Sequence, residues 1–153
     1  MKRIVVLPYF GKFNAYFELW LKSCSLNNEI DWLIVTDGDF LSQNYENITV
    51  VHTTLADLKK LFELKLGFRI SLKSPYKLCD FKPLYGYLFS EYTKDYDFCG
   101  YCDCDLIFGR IDSFIEPSIF ENYDKVLRNG HLSFIRNTPE VNEVFKNFDT
   151  HKV

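Results

Sequence analysis

The 153-residue sequence contains no run of about eighteen consecutive apolar residues, so no membrane-spanning helix is expected. No glycine-rich loop of the phosphate-cradling kind is present, and no Ser-His-Asp arrangement can be picked out. There is no large excess of either charge. The formal net charge of -3 argues against a general nucleic-acid binder, although local cations or a metal could still hold a small anion. Internal repeats, low-complexity tracts and linkers are also missing. The apolar N-terminal stretch ends at Pro8 with no small-residue cleavage site after it, so Arg3 to Leu7 is expected to be a core strand rather than a leader. What the chain has is apolar and aromatic mass, 47% and 18% of its residues, enough to bury the core of one domain. Its five cysteines, Cys24, Cys79, Cys99, Cys102 and Cys104, are odd in number and suit reduced thiols of a cytosolic protein.

Apolar strand-like runs alternate with amphipathic segments, which predicts an α/β sandwich with a mostly parallel twisted sheet flanked by helices. Strands are expected at Arg3 to Leu7, Trp32 to Thr36 and Ile48 to Val51. A helix from Asn14 to Ser25 would place Phe13, Phe17, Trp20 and Cys24 on one face. Thr54 should cap a second helix, with Asp57 three residues on and Leu55, Leu58, Leu61 and Phe62 inward. A third is expected to begin at Phe81 with Asp80 as its N-cap and Pro83 in its first turn. Phe81, Leu84, Tyr85, Leu88 and Phe89 form its apolar stripe. Further on, the pattern predicts a short helix over Ile115 to Glu121. Two strands, Lys125 to Arg128 and His131 to Arg136, should flank an Asn129-Gly130 turn. A last helix opens at Thr138-Pro139 with Val141, Val144, Phe145 and Phe148 inward.

The segment from Tyr96 to Gly109 carries the chemistry. It reads as an apolar strand that meets Asp103 and Asp105, one residue apart, and then resumes as a strand. Carboxylates are costly in such a setting unless something pairs with them. A divalent cation suits two at this spacing, because hard ions such as Mg2+ and Mn2+ take oxygen ligands and share their coordination with phosphates. Solvated turn aspartates are the plain alternative, and the flanking apolar residues Tyr101 and Phe108 argue against it.

Tyr101-Cys102-Asp103-Cys104-Asp105-Leu106-Ile107-Phe108-Gly109 resembles the D-x-D segment of GT-A nucleotide-sugar glycosyltransferases. The block Tyr76-Lys77-Leu78-Cys79-Asp80-Phe81-Lys82-Pro83-Leu84-Tyr85-Gly86, about twenty residues upstream, is similar to one that retaining families of this class pair with it. Gly130 to Asn137 looks like a third block of bacterial D-x-D proteins encoded with surface-polysaccharide genes. The resemblance implies a single GT-A-like domain over residues 1–153. It implies transfer of a sugar from a nucleoside diphosphate donor, a UDP-sugar, to a glycan or lipid-linked sugar acceptor. Mn2+ or Mg2+ would be the cofactor, and the work would be cytoplasmic, at the inner membrane surface. Asp103 and Asp105 would bind the metal and the donor, with Cys104 between them. Pro8, Tyr9 and Phe10 after the first strand, and Thr36 and Asp37 after the second, would lie by the nucleotide. Asp80 would touch the sugar or ribose. GT-A enzymes are commonly longer, so part of the acceptor side and a late metal ligand are expected outside this chain. His131 is the candidate for such a ligand within it, against the ordinary role of a lone histidine at a surface.

Charge runs are usually solvated, which is the expectation for Lys65, Arg69 and Lys73. Lys77 and Lys82 flank Asp80 and are candidates to face a diphosphate. Cys99, Cys102 and Cys104 offer a thiolate metal alternative. However, Cys102 and Cys104 should share a sheet face that Cys99 does not, and no second cluster completes a zinc site. Two rival functions stand beside the transferase. One is a haloacid-dehalogenase-like phosphohydrolase, whose nucleophilic D-x-D normally follows the first strand. The other is a domain that binds nucleotide-sugar without catalysis.

Overall fold

A computed structural model describes residues 1–39 and 45–147. Six strands form one mixed sheet: β1 (Arg3–Tyr9), β2 (Asp31–Thr36), β3 (Ile48–His52), β4 (Phe98–Cys102), β5 (Lys125–Val126) and β6 (Leu132–Arg136). Their order across the sheet is β3-β2-β1-β4-β6-β5. The pairs β1–β2, β2–β3 and β1–β4 are parallel, whereas β4–β6 and β5–β6 are antiparallel. The sheet is therefore mixed and not purely parallel: five strands run the same way, as a mostly parallel sheet requires, and β6 alone runs against them. The reversal arises because β6 returns from β5 through a short loop. Only a crossover of a dozen or more residues can bring a strand back parallel to its predecessor.

Alternation along the strands divides the core in two. Val5, Leu7, Trp32, Ile34, Phe98, Cys102 and Phe134 face one side. Ile4, Val6, Leu33, Val35, Cys99 and Tyr101 face the other. The first side is covered by α1 (Phe17–Ser25) and α5 (Pro117–Asn122), through Phe17, Trp20, Cys24 and Phe120. The second is covered by α2 (Leu55–Leu66), through Leu58 and Phe62, and by the segment that ends in α3 (Tyr85–Leu88). Both faces of the central strands are dry, which accounts for the unbroken apolar runs in β1, β2 and β4.

Local chemistry explains most element boundaries. Thr54 accepts from the Asp57 amide at 3.1 Å while its hydroxyl donates to the Asp57 carboxylate at 2.8 Å. Gly67 then ends α2 at φ 78°, with its amide donating to the Glu63 carbonyl. The expected helix at Phe81 is different. Pro75–Leu84 is a run of 3-10 turns, followed by the four-residue α3 and by α4 (Ser90–Thr93). Ser74, not Asp80, holds the N-cap position. Pro75 favours a helical turn earlier than expected, and Pro83 has no N–H to extend an α ladder. The five inward residues from Phe81 to Phe89 still pack in the core.

Three further expectations change at the C-terminal side. Leu106 to Phe108 is irregular rather than a resumed strand. β6 begins opposite Cys102, so beyond the bond from the Asp103 amide to the His131 carbonyl no strand among the described residues continues the ladder on that side. The predicted tight Asn129-Gly130 hairpin is a five-residue connection, because β5 stops at Val126. The last helix is only α6 (Pro139–Asn142), capped by Thr138 and followed by a 3-10 turn. Val144 is exposed there and Phe145 rests on the Tyr87 ring, while the expected inward Phe148 lies outside the described residues.

Candidate functional site

The chain leaves β1 toward β2 on one side, and later returns to add β4 on the other. Connections diverge at the carboxyl ends of β1 and β4, which is where open α/β sheets form their ligand crevice. A cleft of about 400 Å³ lies there. One wall is the end of β1, from Leu7 to Phe10, and the opposite wall is Cys102, Asp103, Cys104 and Asp105 just past β4. The 3-10 run supplies Pro75, Tyr76, Leu78, Cys79 and Lys82, and Tyr85 closes the base. The lining of the cleft thus combines apolar and aromatic side chains with two carboxylates and an ammonium.

Backbone bonds hold the acidic pair in place. Asp103 is anchored to β6 through its amide, which donates to the His131 carbonyl at 3.0 Å. Downstream, the Phe108 amide donates to the Ser23 hydroxyl at 3.1 Å, and the Asn27 side chain donates to the Gly109 carbonyl at 2.9 Å. The loop bearing both aspartates is therefore pinned to β6 at one end and to α1 at the other. Asp103 is half-buried and Asp105 is exposed.

Lys82 Nζ donates to Asp103 Oδ1 at 2.5 Å, and His131 Nδ1 lies 3.3 Å from Oδ2. The ammonium also sits 5.6 Å from the centre of the Tyr101 ring. Burial alone would lower the lysine, yet the hydrogen bond and charge of Asp103 raise its pKa above the ordinary value. Burial also pushes the Cys102 and Cys104 thiols up, which disfavours the thiolate form. Cys102 and Cys104 contact one core layer and Cys99 the other, as strand alternation requires. No group of three or more His, Cys, Asp or Glu arranged to hold a metal occurs among the described residues. The donors at hand are hard oxygens, and an ion of the Mg2+ class needs only one or two carboxylates when phosphate oxygens complete its sphere. The residues present fit that type of ion and not a thiolate-bound one.

Of the residues singled out from the sequence, Pro8, Tyr9, Phe10, Lys82, Asp103, Cys104 and Asp105 come together in this cleft. His131 touches Asp103 from outside and is exposed. Thr36 is buried, and its hydroxyl accepts from the Gly38 amide. Asp37 accepts from the Gly11 amide at 2.8 Å, joining the loops after β1 and β2 beside a second hollow lined by Lys12, Phe13 and Asp39. Lys77 and Asp80 pair with each other at 3.2 Å on open surface and do not line the main cleft. Arg69 and Lys73 are exposed as expected, whereas Lys65 is only 15% exposed and bonds Ser90 and Glu91. Tyr76 and Cys79 also line the cleft, and Tyr85, expected only as part of an apolar stripe, lies beneath them. The 3-10 run that carries Tyr76 and Cys79 leaves no clear periodic signal in the sequence.

The family model for DUF6625, a family of unknown function, matches residues 5–153. The chain belongs to this family. The matched span contains every residue of the cleft, so the site lies within the DUF6625 region. No curated protein matches the chain significantly.

Proposed function

We propose that the chain is a metal-dependent glycosyltransferase of GT-A type, moving a sugar from a nucleoside diphosphate donor, a UDP-sugar, to a glycan acceptor. One observation carries the reading. Asp103, Asp105 and Lys82 meet an apolar, aromatic wall in a single cleft at the point where the sheet's connections diverge. A ligand that joins a planar group to an anionic one matches that mixed lining.

Asp103 and Asp105 would hold Mn2+ or Mg2+ through their carboxylate oxygens. The ion, when bound, supplies charge neutralisation to the departing diphosphate. Lys82 adds a positive charge beside Asp103. Tyr76, 81% exposed at the rim, offers a ring face to a base or sugar. Tyr85 donates to the Leu78 carbonyl at 2.9 Å and braces the base of the cleft. The acidic pair follows β4 rather than the first strand, which favours the transferase over a haloacid-dehalogenase-like hydrolase.

Release of UDP or GDP from a panel of nucleotide-sugars, with and without Mn2+, tests the proposal. Metal-dependent release that Asp103→Asn and Asp105→Asn abolish is the expected result. Nucleotide binding without any release would instead assign the domain to binding alone.

A further inference from the structure

We infer that Lys82 is an internal counter-ion that makes divalent-cation binding and diphosphate binding depend on each other. The inference rests on the metal-dependent reading above. Both oxygens of Asp103 have partners, Lys82 Nζ on Oδ1 and His131 Nδ1 near Oδ2. Lys82 is the one cation among the described residues lining the cleft. Its side chain is 17% exposed against 35% for Asp103, so the lysine is the more buried member of the pair.

An ammonium and a divalent ion cannot share one carboxylate oxygen without strong repulsion. For Asp103 to ligate an ion through Oδ1, Lys82 must leave it. The four-carbon stem of lysine allows that swing, and the ammonium then needs a new anion. A diphosphate in the same cleft provides one. Lacking a diphosphate, Lys82 competes with the ion for Asp103. With a diphosphate present, Lys82 moves onto phosphate oxygens and gives up the carboxylate. The coupling is reciprocal, as linkage requires. The occupant the cleft favours is therefore a metal–diphosphate complex rather than either part alone.

The experiment titrates Mn2+ into the full chain, following free Mn2+ by electron paramagnetic resonance, without and with UDP. Lys82→Met keeps the length of the stem and removes the charge, and Lys82→Arg keeps the charge. The native chain should bind Mn2+ weakly alone and clearly tighter with UDP. Lys82→Met should bind Mn2+ alone about fivefold tighter than the native chain, the change expected from removing one partly exposed competing charge. Its gain on adding UDP should be smaller than the native gain. Lys82→Arg should keep the native weakness toward Mn2+ alone. Native-like Mn2+ affinity in Lys82→Met, with UDP still tightening it, would overturn the counter-ion role and leave the transferase reading standing. No Mn2+ binding by any form, even with UDP, would overturn the transferase reading and this inference with it.

Discussion

Gly100 decides how closely β4 can approach its neighbours, and Gly100→Ala should be costly for that reason. A Cβ built at this position meets the Ser133 carbonyl oxygen at 2.7 Å, Phe134 Cδ1 at 3.0 Å and Val5 Cγ2 at 3.1 Å. Val5 and Phe134 are its register partners on β1 and β6, and their side chains fill the space that Gly100 leaves. The oxygen belongs to the backbone of a paired strand and cannot swing aside as a side chain would. Overpacking of this kind costs about 1–3 kcal/mol, and rigid backbone contact puts the value near ~3 kcal/mol. The smaller unfolded-state entropy of alanine offsets about 0.4–1 kcal/mol. A net loss of about 2 kcal/mol lowers Tm by roughly 4–8 °C for a chain of this size. Gly109→Ala is the internal control, because nothing lies within 4 Å of its Cβ, and it should stay within about 0.5 kcal/mol of the native chain. Urea unfolding followed by circular dichroism reads both, with the midpoint moving and m unchanged for Gly100→Ala. Equal stability of Gly100→Ala and the native chain would refute the close approach of β4 to β6, and with it the anchoring of Asp103 on His131.

Two further outcomes follow from the structure. The buried Arg3 guanidinium grips Asp112 through two bonds, of 2.6 and 2.8 Å, and that hydrogen bonding holds the Asp112 carboxyl below the ordinary aspartate value. A depressed folded pKa gives stability that is complete above the unfolded value, about 3.9, and is lost as pH falls through the folded one. Asp112→Asn should therefore be less stable near neutrality and show a flatter decline below about pH 4 in acid unfolding; parallel acid curves for the two proteins would contradict the pairing. Among the cysteines, Cys79 is exposed on the cleft while Cys24, Cys99 and Cys102 are buried. Iodoacetamide should label Cys79 rapidly in the native state, spare those three until unfolding, and be slowed at Cys79 by UDP with Mn2+; peptide mass mapping would reveal any other order.

Much of this architecture was legible in the sequence wherever burial imposes a period. The apolar runs of β1, β2 and β4 mark strands covered on both faces, and Phe17, Trp20 and Cys24 mark the inner stripe of α1. Thr54 and Asp57 mark the start of α2 because capping chemistry is local. The acidic pair stood out because two carboxylates follow a buried strand at its open end. What stayed hidden depends on distant partners. The reversed β6 is set by the short return from β5, and the irregular Leu106 to Phe108 by the lack, among the described residues, of a strand to pair with. Asp80 was read as a cap because proline-driven 3-10 turns have no strong period. Lys82 was separated from Lys77 only by the fold, which turns one onto Asp103 and leaves the other with Asp80 on the surface. The buried side chains of Asn27 and Asn47 are equally silent in sequence, since they bond groups far along the chain, the Gly109 carbonyl and Ile111 amide for Asn27 and the Asn27 and Ile30 carbonyls for Asn47.

The claim on which the account rests is that Asp103 and Asp105 jointly bind a divalent ion and a nucleoside diphosphate in the β1–β4 cleft. Thermal unfolding with UDP or GDP, in the presence and absence of Mn2+, measures this directly. Ligand at about 100 times its Kd adds about 2.7 kcal/mol of stability, or roughly 5–10 °C in Tm for a chain of this length. The account predicts such a rise only when metal and nucleotide are both present, and its loss in Asp105→Ala. A rise of the same size without metal, or one that survives Asp105→Ala, would contradict it.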